Sequence, residues 1–109
     1  MKIAVIGDGG WGTANALLLA GYGHEVTLWG AFPDYVEEMR RTRRNGRFLK
    51  GVELPAELKL TADRAEAARG ADVVVLAPPS KYFSSVVSGF RGLVPSDALI
   101  VSVTKGLCE

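Results

Sequence analysis

Cysteine is nearly missing from this chain: Cys108 is the only one in 109 residues. A lone thiol builds no disulfide framework, and such usage fits a reducing compartment, here read as the cytoplasm. Histidine is as scarce, with His24 the single copy, and no metal site is expected. Charge of one sign is lacking too. Thirteen Lys and Arg against 12 Asp and Glu leave a net charge of +1, which marks neither a nucleic-acid partner nor a membrane surface. No apolar run nears the roughly 20 residues of a membrane span. The residues before Gly7 are too few for a signal-peptide core. Internal repeats and low-complexity segments are absent. What is present is 48% hydrophobic and 23% charged residues, ordinary for a globular chain, at a length suited to one domain with one core.

Glycine is plentiful, and six residues concentrate it. Gly7-Asp8-Gly9-Gly10-Trp11-Gly12 spells G-x-G-x-x-G between the apolar run Ile3-Ala4-Val5-Ile6 and a helix-forming stretch from Thr13. That placement is the fingerprint of a dinucleotide-binding turn rather than a glycine-rich loop in general. Gly7 allows the tight turn, Gly9 lets a pyrophosphate approach the backbone, and Gly12 lets the helix lie close to the sheet. The helix start supplies unpaired N–H groups and partial positive charge to the phosphates. The competing reading is a structural turn without ligand.

The rest of the chain alternates strands and helices. Residues 2–6 form the first strand, and a helix follows from about Gly10 to Tyr22, with Ala14, Leu17, Leu18 and Gly21 as its buried face. Val26 to Trp29 is the second strand. Pro33 and Asp34 open a helix to about Arg43, where proline costs no hydrogen bond. Residues 46–56 read as irregular. A short strand at Leu58 to Leu60, a helix from residues 61–63 to Ala68, and the strand Val73 to Leu76 come next. The unbroken apolar character of that last strand predicts cover on both faces. Ser80 caps a helix to about Phe90, and residues 99–103 form the final strand. Crossovers of a dozen or more residues imply right-handed βαβ units. The expected fold is α/β: a Rossmann-type doubly wound parallel sheet, strand order 3-2-1-4-5, in a single domain over residues 1–109. The crevice falls between strands 1 and 4.

Ligands in such sheets lie outside the carboxyl ends of the strands. This selects residues 7–12, 30–32, 77–83 and 104–106. No carboxylate ends the second strand at Trp29-Gly30-Ala31, and no cation stands at Gly30 or Ala31 either, so the residues leave NAD and NADP both open. Arg40, Arg41, Arg43 and Arg44 read better as a solvated helix end, favoured by the helix dipole, than as a phosphate clamp. Tyr82 and Phe83 are candidates to flank the cofactor or to pack the following helix. Lys105, leaving the last strand beside the crevice, is the best chemical candidate: a compact charge suited to a phosphate or a developing alkoxide. His24 falls at the amino end of the strands and reads as structural.

Several stretches resemble one family in order. Gly7-Asp8-Gly9-Gly10-Trp11-Gly12-Thr13 resembles the G-x-G-x-W-G-T turn of glycerol-3-phosphate dehydrogenases that use NAD or NADP. Residues 23–29 are similar to that family's second strand. Residues 44–55, with Asn45, Phe48-Leu49, Gly51 and Leu54-Pro55, resemble its next connection. Pro79-Ser80 and Thr104-Lys105-Gly106-Leu107 resemble its other crevice loops. The resemblance implies hydride transfer between dihydroxyacetone phosphate and sn-glycerol 3-phosphate, feeding glycerophospholipid synthesis. It assigns cofactor contacts to Gly7, Gly9, Gly10, Trp11, Gly12, Ala31, Tyr82 and Phe83, and contact with both cofactor and substrate to Lys105.

Asp8 departs from the family's usual small residue and is expected to bring a carboxylate near the pyrophosphate. Gly10 replaces a side-chain donor, Ala31 stands where Arg or His is frequent, and Pro78 replaces an aliphatic residue. The family also carries a C-terminal helical domain with the principal catalytic lysine and most of the substrate site. Its absence here implies a fragment that grips nucleotide but turns over negligibly, and an apolar docking face that favours self-association into a homo-oligomer. Two alternatives stand beside this reading: the cofactor domain of a 3-hydroxyacid or ketopantoate-type reductase, and a stand-alone nucleotide-binding or interaction module without chemistry.

Overall fold

Short β-branched apolar runs separated by helix-forming stretches become the strands of one sheet. The computed structural model describes residues 1–46, 49–77 and 83–102. The elements run β1 (Lys2–Ile6), α1 (Gly10–Gly21), β2 (Glu25–Trp29), α2 (Pro33–Thr42), β3 (Arg44–Asn45), β4 (Leu49–Glu53), β5 (Lys59–Thr61), α3 (Arg64–Ala68), β6 (Val73–Leu76), α4 (Phe83–Gly89) and β7 (Leu99–Ser102). Five strands form the main sheet in the order β5-β2-β1-β6-β7, and all neighbours are parallel. Counted among themselves they stand 3-2-1-4-5, as the sequence predicts. The winding reverses between β1 and β6, where Ile6 lies level with Leu76.

Strand periodicity sends alternate side chains to opposite faces, and β1 is covered on both. Ile3 and Val5 join a core layer with Ala16 of α1, Val36 and Met39 of α2, and Leu54 and Leu58. Ala4 and Ile6 join the other layer with Trp29, Ala67, Ala68, Val74 and Phe90. There the Phe90 ring meets the Trp29 ring edge-on, centroids 5.0 Å apart, and the Arg64 guanidinium lies 5.5 Å from the Trp29 ring centre.

Two expectations change. The fully buried residues of α1 are Gly12, Thr13 and Ala16, and Leu17 packs partly buried against the same core, while Leu18 is 58% exposed and Gly21 is exposed as well. The close approach of the glycine turn sets the helix's rotation, so the small residues nearest the turn are fully buried, Leu17 and Leu19 pack partly buried against the core, and Leu18 faces out. Residues 46–56 are not irregular throughout: β3 and β4 pair antiparallel, with a register shift between Arg44 and Asn45.

Further on, Thr61 ends β5 rather than opening a helix, and α3 starts at Arg64 behind the cap Asp63. The Asp63 carboxylate accepts from Glu66 N at 3.1 Å, an N-cap of the usual kind. Ser80, expected to cap α4, lies outside the described residues.

Candidate functional site

The chain leaves β1 through Gly7, whose φ of 118° suits only glycine comfortably. Gly7 N donates to Trp29 O at 2.9 Å, which carries the sheet contact one residue past the strand. Gly9 is the N-cap of α1, and a Cβ placed on it would meet nothing within 4 Å. The space over the turn is therefore open. Gly12 is the opposite case: a Cβ there would collide with the Gly7 carbonyl, whose carbon is 3.0 Å away. Glycine at position 12 is what lets the first turn of α1 close onto the loop. No acidic residue occupies that turn, so nothing in it opposes the positive end of the helix dipole or its unpaired N–H groups.

A buried amide braces the turn. Asn45, fully buried in β3, donates from Nδ2 to Asp8 O and to Thr13 Oγ1, each at 2.8 Å. Thr13 Oγ1 in turn donates to Asp8 O at 3.1 Å. The Tyr35 hydroxyl of α2 donates to Asn45 Oδ1. One network thus ties the glycine turn to α1, α2 and β3.

Neighbouring strand ends complete the crevice. Ala77 N donates to Ile6 O at 2.8 Å, and the Ala77 Cβ lies 3.4 Å from where a Gly12 Cβ would be. Gly30 N donates to Thr61 O at 3.0 Å. Ala31 and Phe32 are exposed there, Phe32 by 65%.

The structure gathers Gly7, Gly9, Gly10, Trp11, Gly12 and Ala31 at the carboxyl ends of β1 and β2. Trp11 is half exposed. Tyr82 and Lys105 lie outside the described residues, as does the side chain of Phe83, whose backbone opens α4. His24 stands at the opposite, amino end of β2, half-buried.

Asp8 differs from expectation. Its carboxylate lies against Gly30 and Val36: a Cβ on Gly30 would collide with Asp8 Oδ2 and stand 2.7 Å from Asp8 Cγ. It points at the end of β2. The arginines differ in detail from a solvated helix end. Arg43 donates to the carbonyls of Leu54, Pro55 and Leu58. Arg40 donates to Leu60 O at 2.8 Å and pairs with Glu37 at 3.3 Å. Both hold the connection into β5.

Sequence reasoning gave Asn45 no role of its own, and the exposed Phe32 was only part of a selected segment. The Asn45-Gly46 dipeptide was a signal for a turn, but nothing local marks contact with Asp8. Among the described residues there is no grouping of His, Cys, Asp and Glu fit to hold a metal. No helix among them is long and apolar enough to cross a membrane.

A glycine turn that opens a helix at the reversal point of a parallel sheet, with open space over Gly9, defines a dinucleotide-binding domain of the doubly wound class. The family model described as NAD-dependent glycerol-3-phosphate dehydrogenase N-terminus matches residues 2–109. The chain belongs to that family. A glycerol-3-phosphate dehydrogenase (NAD(P)+) of Citrifermentans bemidjiense is 48% identical over 106 residues, which cover 97% of this chain and 32% of that protein. The crystal structure of glycerol-3-phosphate dehydrogenase from Coxiella burnetii superposes with a TM-score of 0.89 at 35% identity, over 95% of this chain and 32% of that one. A ketopantoate reductase from Ralstonia eutropha gives 0.78 at 26% identity, over 95% of this chain and 34% of that one. The chain spans about a third of the length of the curated relatives it matches.

Proposed function

We propose that residues 1–109 are the N-terminal, cofactor-gripping domain of a glycerol-3-phosphate dehydrogenase that interconverts dihydroxyacetone phosphate and sn-glycerol 3-phosphate. The observation that carries the reading is the open turn over Gly9, closed beneath by Gly12 and aimed by α1. The backbone of residues 7–12 holds the pyrophosphate of NAD or NADP, with Trp11 alongside. Ala31 and the exposed ring of Phe32 border the adenosine end. When bound, the nicotinamide supplies or accepts the hydride. Phe83 and Tyr82 follow β6 and flank the cofactor. Lys105, after β7, reaches cofactor and substrate phosphate.

The principal catalytic lysine and most of the substrate site belong to a second, helical domain. Hydride transfer needs both reactants oriented in a water-poor site, so residues 1–109 assayed by themselves are expected to bind nucleotide with negligible turnover. A cytoplasmic location goes with this reading, supported by the single cysteine. The family match and the higher similarity to glycerol-3-phosphate dehydrogenases favour this over a ketopantoate-type reductase.

Fluorescence titration tests the grip. The 109-residue chain is expected to bind NADH, and Gly12→Ala is expected to weaken binding at least about tenfold, because the added methyl must push α1 off the turn. Unchanged affinity in the variant would overturn the assignment of the turn. An absorbance assay with dihydroxyacetone phosphate and NADH is expected to show no turnover above buffer. Robust turnover would overturn the division of the site between two domains.

A further inference from the structure

Trp29 joins the two halves of the candidate cofactor grip. Its carbonyl accepts from Gly7 N at 2.9 Å, at the start of the glycine turn. Its own chain runs directly into Gly30-Ala31, the segment at the adenosine end. Gly30 has no side chain and Ala31 is exposed, so Trp29 is the last residue of this strand end that a side chain anchors in the core. We infer that Arg64 of α3 is a positioning residue for the grip: its guanidinium holds the Trp29 ring and, through it, the end of β2 and the start of the glycine turn. The inference rests on the dinucleotide reading above and deepens it.

Trp29 is 2% exposed, and its Nε1–H is buried with no acceptor among the described residues. A buried donor left unmet is costly, and no hydrogen bond fixes the ring. Its place is therefore set by what packs on it. Phe90 meets it edge-on with centroids 5.0 Å apart, and the Arg64 guanidinium lies 5.5 Å from the ring centre. The face of an indole attracts a cation, the more so where water is displaced.

The surroundings of Arg64 commit it to this contact. The carboxylates beside it in sequence are engaged elsewhere: Asp63 Oδ1 accepts from Glu66 N at 3.1 Å, and Glu66 Oε1 accepts from Thr61 Oγ1 at 2.8 Å. The side chain crosses from α3 to the end of α4 and lies against Gly89. A Cβ on Gly89 would stand 2.5 Å from Arg64 Nε and 3.1 Å from Arg64 Cζ. Glycine at position 89 is what leaves room for the guanidinium. The carboxyl end of a helix also favours a cation. Arg64 thus spans α3 and α4 across the ring that ends β2.

The test compares NADH affinity, by fluorescence titration, with fold stability, by urea unfolding. Arg64→Met keeps the apolar stem and removes the cation. It is expected to weaken NADH binding about three- to tenfold. Arg64→Lys keeps the charge and is expected to stay within about twofold of wild type. Gly89→Ala displaces the guanidinium while leaving Arg64 in place, and is expected to weaken NADH binding as Arg64→Met does. In an Arg64→Ala background, where the methyl has room, Gly89→Ala is expected to add less than about twofold. In a Trp11→Phe chain Trp29 is the sole tryptophan, and both Arg64→Met and Gly89→Ala are expected to shift its emission maximum. NADH affinity left unchanged by both variants, whatever happens to their urea midpoints, overturns this inference alone: the contact is then packing without consequence for the grip. Should Arg64→Met fail to fold, Gly89→Ala in the two backgrounds decides the matter by itself. Failure of the wild type to bind NADH overturns the dinucleotide reading and this inference with it.

Discussion

Asn45 joins four pieces of backbone through one amide. A buried amide is costly unless its donors and acceptor are met, and here both donors and the oxygen are used: Asp8 O and Thr13 Oγ1 receive, and the Tyr35 hydroxyl gives. Asn45→Ala removes the donor to the Asp8 carbonyl and the acceptor of the Tyr35 hydroxyl, while leaving all the glycines in place. The expected loss is about 1–3 kcal/mol of folding stability, read by urea unfolding, with NADH affinity reduced several-fold because the turn is no longer braced. A variant as stable as the wild type would show that the network is incidental. At this scale the sequence was legible where a residue's job is local. Gly7, Gly9 and Gly12 announce theirs by spacing, since turn, approach and packing all occur within six residues. Asn45 and Asp8 do not, because their partners sit on elements distant in the chain. The place of the Asp8 carboxylate beside Gly30 was not legible for the same reason: Gly30 follows β2, on another element.

Elements were legible where periodicity and apolar character agree. β6 reads as a buried strand and is one. α1 shows the limit. Its apolar spacing suggested Leu17 and Leu18 as buried together, but close packing at Gly12 sets the rotation so that Leu17 packs on the core and Leu18 faces out. β3 is too short to show alternation, and its pairing with β4 depends on what α2 does before it. The end of α2 is set by Arg43, in the left-handed region at φ 57°. A non-glycine residue pays about 1–2 kcal/mol to stand there, and Arg43 compensates through its guanidinium. That group binds the carbonyls of Leu54, Pro55 and Leu58 and so ties the helix end to the connection between β4 and β5. Comparing two substitutions separates the contributions. Arg43→Gly loses the guanidinium but relieves the backbone, whereas Arg43→Ala loses the guanidinium and keeps the strain. Both are expected to lower the unfolding midpoint, with Ala less stable than Gly by about 1 kcal/mol. Equal stability of the two would show that the backbone at position 43 relaxes at no cost.

For the whole molecule, the parallel sheet followed from alternation, because parallel strands require crossovers and crossovers have one hand, and the doubly wound order followed once the glycine turn after the first strand was added to it. What alternation does not show is how the two edges of the sheet differ. β5 is a guarded edge: Leu60 and Thr61 are buried, and the exposed Lys59 pairs with Glu25 at 3.1 Å. β7 is the reverse. All four of its residues are exposed, with Leu99 at 63%, Ile100 at 56% and Val101 at 38%. Beside it lies an apolar pocket of about 250 Å³ lined by Val74, Leu76, Val87, Phe90 and Ile100. An apolar edge strand with neither face covered by the described residues is a template for pairing with another chain. The 109-residue chain is therefore expected to self-associate as its concentration rises, through β7 and the pocket beside it. Ile100→Lys puts on this edge the kind of residue that β5 already carries at its own. It is expected to weaken association by at least about tenfold in sedimentation velocity, while NADH affinity stays within about twofold, since Ile100 lies on β7 and the cofactor turn leaves β1. A wild-type chain that remains monomeric across the concentration range would show that the exposed edge is tolerated in solution. An Ile100→Lys chain that associates as strongly as wild type would move the contact to another surface.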